Sequence, residues 1–164
     1  MIEHCIVLAH SDVEPERKRL RMRPMTDEDL DAVLIVEESV YPFPWSRNIF
    51  ADCLHHGYCC WVWDFEGGLV GYGVMQVAAG ECQILNLTVA ASWRRRGLGR
   101  AMMTHLLKLA RHHRAEMAFL EVRSSNRQAI ALYHSLGFNE IGQRCGYYPA
   151  PSGREDALIL AKVL

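Results

Sequence analysis

The segment Arg94-Arg-Arg-Gly-Leu-Gly-Arg100 restricts the possible folds of this chain more than any other. It stands between a strand-like run ending at Val89 and a helix-period segment with Met102, Met103, Leu106, Leu107 and Ala110 at core spacing. A strand that turns through glycines into a helix aims backbone N–H groups and the positive end of the helix dipole at one place. An anion is favoured there, and the glycines let a diphosphate come close to the backbone. A Walker loop needs Gly-Lys-Ser/Thr, whereas Gly-Arg-Ala stands here. A Rossmann fingerprint wants a small residue at position 102, which is Met, and sits early in a βαβ unit rather than after three antiparallel strands. A solvated basic turn or a nucleic-acid patch is the plainer alternative.

Charge is sorted along the chain in the same sense. The 18 Lys+Arg and 19 Asp+Glu nearly cancel, yet residues 25–81 hold ten acids and one base, Arg47, while residues 92–127 hold nine bases and two acids. The first stretch suits a cation and the second an anion. Half of the 164 residues are hydrophobic and 23% are charged, which excludes a disordered tail and fits one globular domain over residues 19–164. Residues 1–18 carry no periodic pattern and read as an N-terminal extension, open to disorder at its start. The longest stretch without Asp, Glu, Lys, Arg or His, residues 67–80, has 14 residues and five glycines. That is too short and too polar to cross a bilayer, so no membrane partner is expected. The N-terminal order of charges is the reverse of a signal peptide's, which predicts a cytoplasmic chain. The six cysteines lack framework spacing and read as reduced thiols.

Alternation in Arg19-Leu-Arg-Met-Arg23 predicts a strand with Leu20 and Met22 inward, ending at Pro24. Thr26 ahead of Asp27, Glu28 and Asp29 predicts a helix start with acids on the positive end of the dipole, running to about Glu38. Two prolines keep Tyr41-Pro-Phe-Pro-Trp-Ser46 out of a helix, and Ser46 caps a short one to about His55. Strands are expected over 58–65, 69–79 and 82–89, the first two joined by a tight turn at Glu66-Gly-Gly68. The helix after Gly99 ends in Arg111-His-His-Arg114. A strand over 117–122 and a helix over 126–136 closed by Gly137 follow. The last strands, 138–145 and 157–163, are separated by a Gly/Pro/Tyr-rich loop at 146–153. This order, βααβββαβαββ, predicts an α/β (α+β) chain: a mixed, mainly antiparallel sheet of about seven strands, flanked by about four helices on both faces.

Arg94-x-x-Gly97-x-Gly99 in its strand, loop and helix setting resembles the acyl-CoA loop of the GNAT superfamily of N-acetyltransferases, a likeness that extends over residues 19–164. Phe43-Pro-Trp-Ser46, Leu120-Glu-Val-Arg123, Ala131-Leu-Tyr133, Leu136-Gly-Phe138, Tyr147-Tyr-Pro149 and Arg154-Glu-Asp-Ala157 are similar to the bacterial ribosomal-protein alanine N-acetyltransferases of the RimI type. The glycine loop alone points to the superfamily, and the Pro-Trp-Ser and Tyr-Tyr-Pro loops narrow it. The resemblance implies the GNAT fold and acetyl-CoA as co-substrate. As acceptor it implies the N-terminal alanine of small-subunit ribosomal protein number eighteen, a basic peptide end. It puts cofactor contacts on the backbone of Leu87, Thr88 and Val89, with one N–H, that of Val89, polarising the thioester carbonyl. Further contacts fall on Arg95, Arg96, Gly97, Leu98, Gly99 and Arg100 around the phosphates, and on Asn126.

Acetyl transfer from a thioester to an amine needs a neutral amine, a polarised carbonyl and a proton for the departing thiolate. Glu121 lies in the apolar strand Met117-Ala-Phe-Leu-Glu-Val122, where a carboxylate is unfavourable without a task or a partner. The resemblance makes it the general base, acting through a water; the structural alternative is a pair with Arg123 or another base nearby. An α-amine at about 7.7–8.0 loses its proton far more readily than a lysine at about 10.4, which suits a carboxylate base. Tyr133 is implied as the acid that protonates the CoA thiolate; the plainer alternative on residue type alone is a helix aromatic packed in the core with its hydroxyl at the rim. Asn126 is a good N-cap in any protein.

Glu37 and Glu38, with Tyr41 and Trp45 and with Tyr147 and Tyr148 opposite, are expected to form an acidic, aromatic groove for a basic peptide. A solvated helix face is the plainer reading of those acids. Cys53-x-His-His-x-x-Cys-Cys60 has the composition of a metal set, but adjacent Cys59 and Cys60 on a strand point to opposite faces, so no metal is expected. No Gly-x-Ser-x-Gly elbow occurs, so a Ser-His-Asp hydrolase is not supported, and no cysteine falls at a motif position, so direct transfer without an acetyl-enzyme is expected. A monomer without direct nucleic-acid binding is expected as well. A GNAT enzyme for a small amine and a non-catalytic acyl-CoA-binding module are the competing functions.

Overall fold

The computed structural model describes residues 4–5 and 20–164. In chain order the elements are β1 (His4–Cys5), β2 (Leu20–Pro24), α1 (Leu30–Val40), α2 (Arg47–His55), β3 (Cys59–Phe65), β4 (Gly68–Ala78), β5 (Glu81–Val89), α3 (Leu98–His112), β6 (Met117–Arg123), α4 (Arg127–Ser135), β7 (Asn139–Ala150) and β8 (Gly153–Val163). The strands hydrogen-bond in the order β1-β2-β3-β4-β5-β6-β8-β7. Pairing is parallel between β5 and β6 and antiparallel for β2 with β3, β6 with β8, and β7 with β8. The expected mixed sheet and four helices are present. The eighth strand is the two-residue β1, where His4 and Cys5 pair with Met22 and Arg21. The remainder of the expected 1–18 extension lies outside the described residues.

Two compact units share the chain. One runs to Val74 and resumes over Asn86–Met102; the other comprises Met75–Leu85 and Met103–Leu164. In the first, Leu30 and Val33 of α1, Phe50 of α2, Val62 and Trp63 of β3 and Tyr72 of β4 are fully buried. Thr26 and Asp29 form a capping box around a short 3-10 turn, Asp27–Asp29, that leads into α1. The helix continues past Glu38 to Val40. The β3 to β4 turn carries positive φ at both Glu66 and Gly67, 54° and 78°, as a two-residue hairpin turn twisted to match its strands requires.

In the second unit Met103, Leu106, Leu107 and Ala110 present the predicted apolar stripe of α3, and all four are buried. The expected loop at 146–153 is instead the continuation of a long hairpin. β7 runs on to Ala150, and Tyr148, Pro149 and Ala150 pair with Glu155, Arg154 and Gly153. A proline is tolerated there because β7 is the last strand of the sheet and a missing N–H on an edge leaves no ladder bond unmade. A register shift between Arg144 and Tyr148 absorbs the Gly/Tyr-rich stretch as an irregularity within the strand. Among the described residues no helix is long and apolar enough to cross a membrane.

Candidate active site

In the first unit, β5 ends at Val89, a short 3-10 turn covers Ala91–Trp93, and α3 begins at Leu98. Arg95 and Gly97 both take positive φ, 64° and 82°. A non-glycine residue in that region is disfavoured by its Cβ, so the loop holds Arg95 in a conformation that only its surroundings can enforce. The first helical bond runs from Ala101 N–H to Gly97 C=O at 3.0 Å. The amides ahead of it belong to the helix end that has no acceptors within the helix, as an anion site requires. The loop is anchored from below: the Leu98 side chain is buried, and its carbonyl accepts a 3.2 Å bond from the fully buried Trp63 Nε1. Leu98 can therefore offer a ligand its backbone only. Arg95, Arg96 and Arg100 are exposed. Arg96 lies over the Trp93 ring at 4.7 Å, which holds its guanidinium beside the loop.

The strand segment expected to pair with pantetheine is fixed through Thr88, which is 3% exposed. Its hydroxyl lies 2.9 Å from Asn86 Oδ1 and 3.0 Å from the Tyr41 hydroxyl. A Cβ on Gly71 would meet the Thr88 carbonyl oxygen at 2.7 Å, so only glycine permits this approach of β4 to β5.

Glu37 differs from its expected place on a peptide groove. It is 1% exposed and faces inward: Oε1 accepts from Trp45 N–H at 2.8 Å, and Oε2 accepts a short bond from the Tyr72 hydroxyl. Burial, with the neighbouring Glu37 charge, pushes the Tyr72 phenol well above the ordinary tyrosine range. Glu37 thus closes the start of the Pro-Trp-Ser segment onto the sheet instead of offering a free carboxylate to solvent. Glu38 is exposed, and Tyr41 and Trp45 are half-buried.

In the second unit, β6 is not apolar on both sides. Ala118, Leu120 and Val122 are buried, while Met117, Phe119, Glu121 and Arg123 lie on a half-open face. Glu121 therefore lies on the less buried side of the strand, with 17% of its side chain exposed. Its partner is Arg144 on β7 rather than Arg123, with Nε 2.7 Å from Oε1. The Tyr147 hydroxyl also bonds to Glu121; that bond, with burial and the Glu121 charge, raises the Tyr147 phenol above its ordinary value.

Arg123 serves a parallel arrangement. It pairs with Glu155 at 3.2 Å, donates to Pro149 C=O at 3.0 Å and lies over the Tyr148 ring at 4.5 Å. Glu155 also accepts from Ser125 N–H at 2.8 Å, tying β8 to the turn that leads into α4. The hydrogen bonds from Ser125 and Arg123 hold the Glu155 carboxyl below its usual range. Asp156 accepts from Gly146 N–H at 2.7 Å, and the Arg154 guanidinium donates to the carbonyls of Gly146 and Tyr147. The Arg-Glu-Asp triplet thereby shapes the irregular part of β7 that carries the two tyrosines.

Asn126 is exposed and caps α4, its side chain accepting from Ala129 N–H at 3.2 Å. Tyr133 is 8% exposed, with its ring 6.0 Å from that of Phe138. Cys53 and Cys60 are buried beside exposed His55 and His56, and burial, with the neighbouring thiols, pushes Cys60 up to about 12, far from a reactive thiolate. Among the described residues no group of three or more metal-binding side chains converges.

A family model for the acetyltransferase (GNAT) family matches residues 22–138. The chain is 40% identical over 133 residues to the [ribosomal protein bS18]-alanine N-acetyltransferase of Escherichia coli K12, covering 81% of this chain and 90% of that one. The crystal structure of the ribosomal-protein-S18-alanine N-acetyltransferase from Escherichia coli superposes with a TM-score of 0.81 at 37% identity, over 87% of this chain and 92% of that one. Arabidopsis thaliana NAA60 in complex with acetyl-CoA reaches a TM-score of 0.81 at 18% identity over 88% and 98% of the two chains, a likeness of fold alone. The chain belongs to the acetyltransferase (GNAT) family.

Proposed function

We propose that this chain transfers the acetyl group of acetyl-CoA to the free α-amine of an N-terminal alanine on ribosomal protein bS18. The reading is supported above all by Glu121, which stands on the half-open face of β6 beside Tyr147 in a chain 40% identical to the Escherichia coli enzyme of that name. The amides at the start of α3, with Arg95, Arg96 and Arg100, hold the diphosphate. The Leu87–Val89 backbone pairs with the pantetheine, and Asn126 adds a contact beyond its cap. Glu121 takes the amine proton through a water, the Val89 N–H steadies the carbonyl oxygen as the nitrogen attacks, and the Tyr133 hydroxyl returns a proton to the CoA sulfur. Glu38, Tyr41, Trp45, Tyr147 and Tyr148 receive the basic peptide, with Glu37 as support beneath. In this reading the enzyme is a cytoplasmic monomer that uses no metal and forms no acetyl-enzyme.

Initial rates on an alanine-starting basic peptide, its N-terminally blocked copy and a panel of small amines test the acceptor. Acetylation of the blocked copy at a lysine, or of small amines alone, would overturn it. Gly97→Glu sets bulk and negative charge at the phosphate site and is expected to abolish CoA binding in calorimetry; unchanged binding refutes that placement.

A further inference from the structure

The pairing of Arg144 with Glu121 is an unusual use of a strand edge. β8 separates β7 from β6, with Arg144 and Arg123 both in register with Ala157. The Arg144 side chain therefore crosses the width of β8 to reach the carboxylate, and the small Ala157 leaves room beneath it. The two arginines of this row are held very differently. Arg123 is 23% exposed and is fixed by a carboxylate, a carbonyl and a ring. Arg144 is 55% exposed, with Glu121 17% exposed beneath it, and its ring contact to Tyr147 is longer, 5.4 Å. With its arginine exposed to solvent, the pair is partly screened, so its cation can be exchanged at modest cost.

We infer that Arg144 is a resident counter-ion of Glu121, which the α-ammonium of the substrate displaces on binding. The inference rests on the proposed role of Glu121 toward the amine and goes beyond it. An α-amine near neutrality arrives largely protonated. A compact ammonium, linked to Glu121 by the water that carries its proton, replaces the guanidinium as the cation facing the carboxylate. Glu121 is compensated before and after the exchange, so the enzyme does not present a bare carboxylate to passing cations. Arg144 swings outward over Tyr147, along the side on which it is already exposed. No bond is made or broken in this step; one cation replaces another.

The test measures peptide binding to the CoA-loaded enzyme by calorimetry. With Arg144→Gln and Arg144→Ala, the Kd of an alanine-starting basic peptide should fall by roughly two- to fivefold, the worth of an exposed ion pair that no longer has to be broken. The N-terminally blocked peptide should gain no affinity, which separates displacement at Glu121 from a general change in charge. Methylguanidinium added to Arg144→Ala should raise the Kd back toward the wild-type value. Binding of the free peptide that is unchanged or weaker in a folded variant overturns the inference, as does an equal gain by the blocked peptide. If the alanine variant does not fold, Arg144→Gln decides alone. A Glu121→Gln enzyme that turns over at the wild-type rate removes the underlying reading. A dead Glu121→Gln enzyme, with no tightening in the Arg144 variants, removes this inference only.

Discussion

Glu37 and Glu121 each accept a hydrogen bond from a tyrosine hydroxyl, from Tyr72 and Tyr147 respectively. Glu37 is sealed at 1% exposure with a backbone amide as its second donor, and Glu121 keeps 17% of its side chain exposed with an arginine as its second partner. The contrast separates two uses of one residue type. A buried carboxylate held by neutral donors is expensive to disturb and ties chain segments together. A half-open one, held by a solvated cation, can change partners at small cost. The acidic stretch that in sequence looks suited to a cation thus contributes its most buried acid to architecture, while Glu121, the acid proposed to meet the amine, lies in the basic half of the chain.

The contrast can be broken in several ways. Glu121→Gln should lower the acetylation rate by about 10²–10⁴-fold, the usual worth of a positioned acid or base, with cofactor affinity retained. Tyr133→Phe should do the same; wild-type rates in both would remove the catalytic assignment. Glu37→Ala strands a half-buried amide and a buried phenol and should cost about 2–5 kcal/mol in urea unfolding. A loss as small as that of a surface variant would show that Glu37 is not the tie described. Gly71→Ala forces a Cβ against the Thr88 carbonyl and should cost about 1–3 kcal/mol, with weaker CoA binding if β5 shifts.

The smallest effect concerns Tyr147. Its phenol is raised by the bond to Glu121, by burial and by the Glu121 charge, with Arg144 opposing. A raised tyrosine contributes stability that is fully present below its unfolded value near 10 and is lost as pH rises through the folded value. Melting temperatures between about pH 9 and 12 should therefore fall slightly less steeply for Tyr147→Phe than for the wild type. Identical slopes would mean that the bond to Glu121 contributes nothing in solution.

Much of the fold is legible because its signals are local. The apolar stripe of α3, the positive-φ turn at Glu66-Gly67, the prolines that keep residues 42–44 out of a helix, and the Asn126 cap each depend on neighbours within a few residues. The glycine loop is legible for the same reason. Pro149 misled because its tolerance in a strand depends on β7 being an edge, which is a property of the sheet. Arg144 carried no signal at all. It meets Glu121 only because β8 lies between β6 and β7 with Ala157 in the row.

The sequence by itself determined the order of elements from β2 onward, the strand, glycine-loop and helix setting at 94–100 and the family likeness, since residue type and short spacing carry all three. Only the tertiary structure decided which acid is sealed and which is open, and which arginine lies over Glu121. Burial and cross-strand pairing are set by register between strands far apart in the chain, and no local pattern encodes that register.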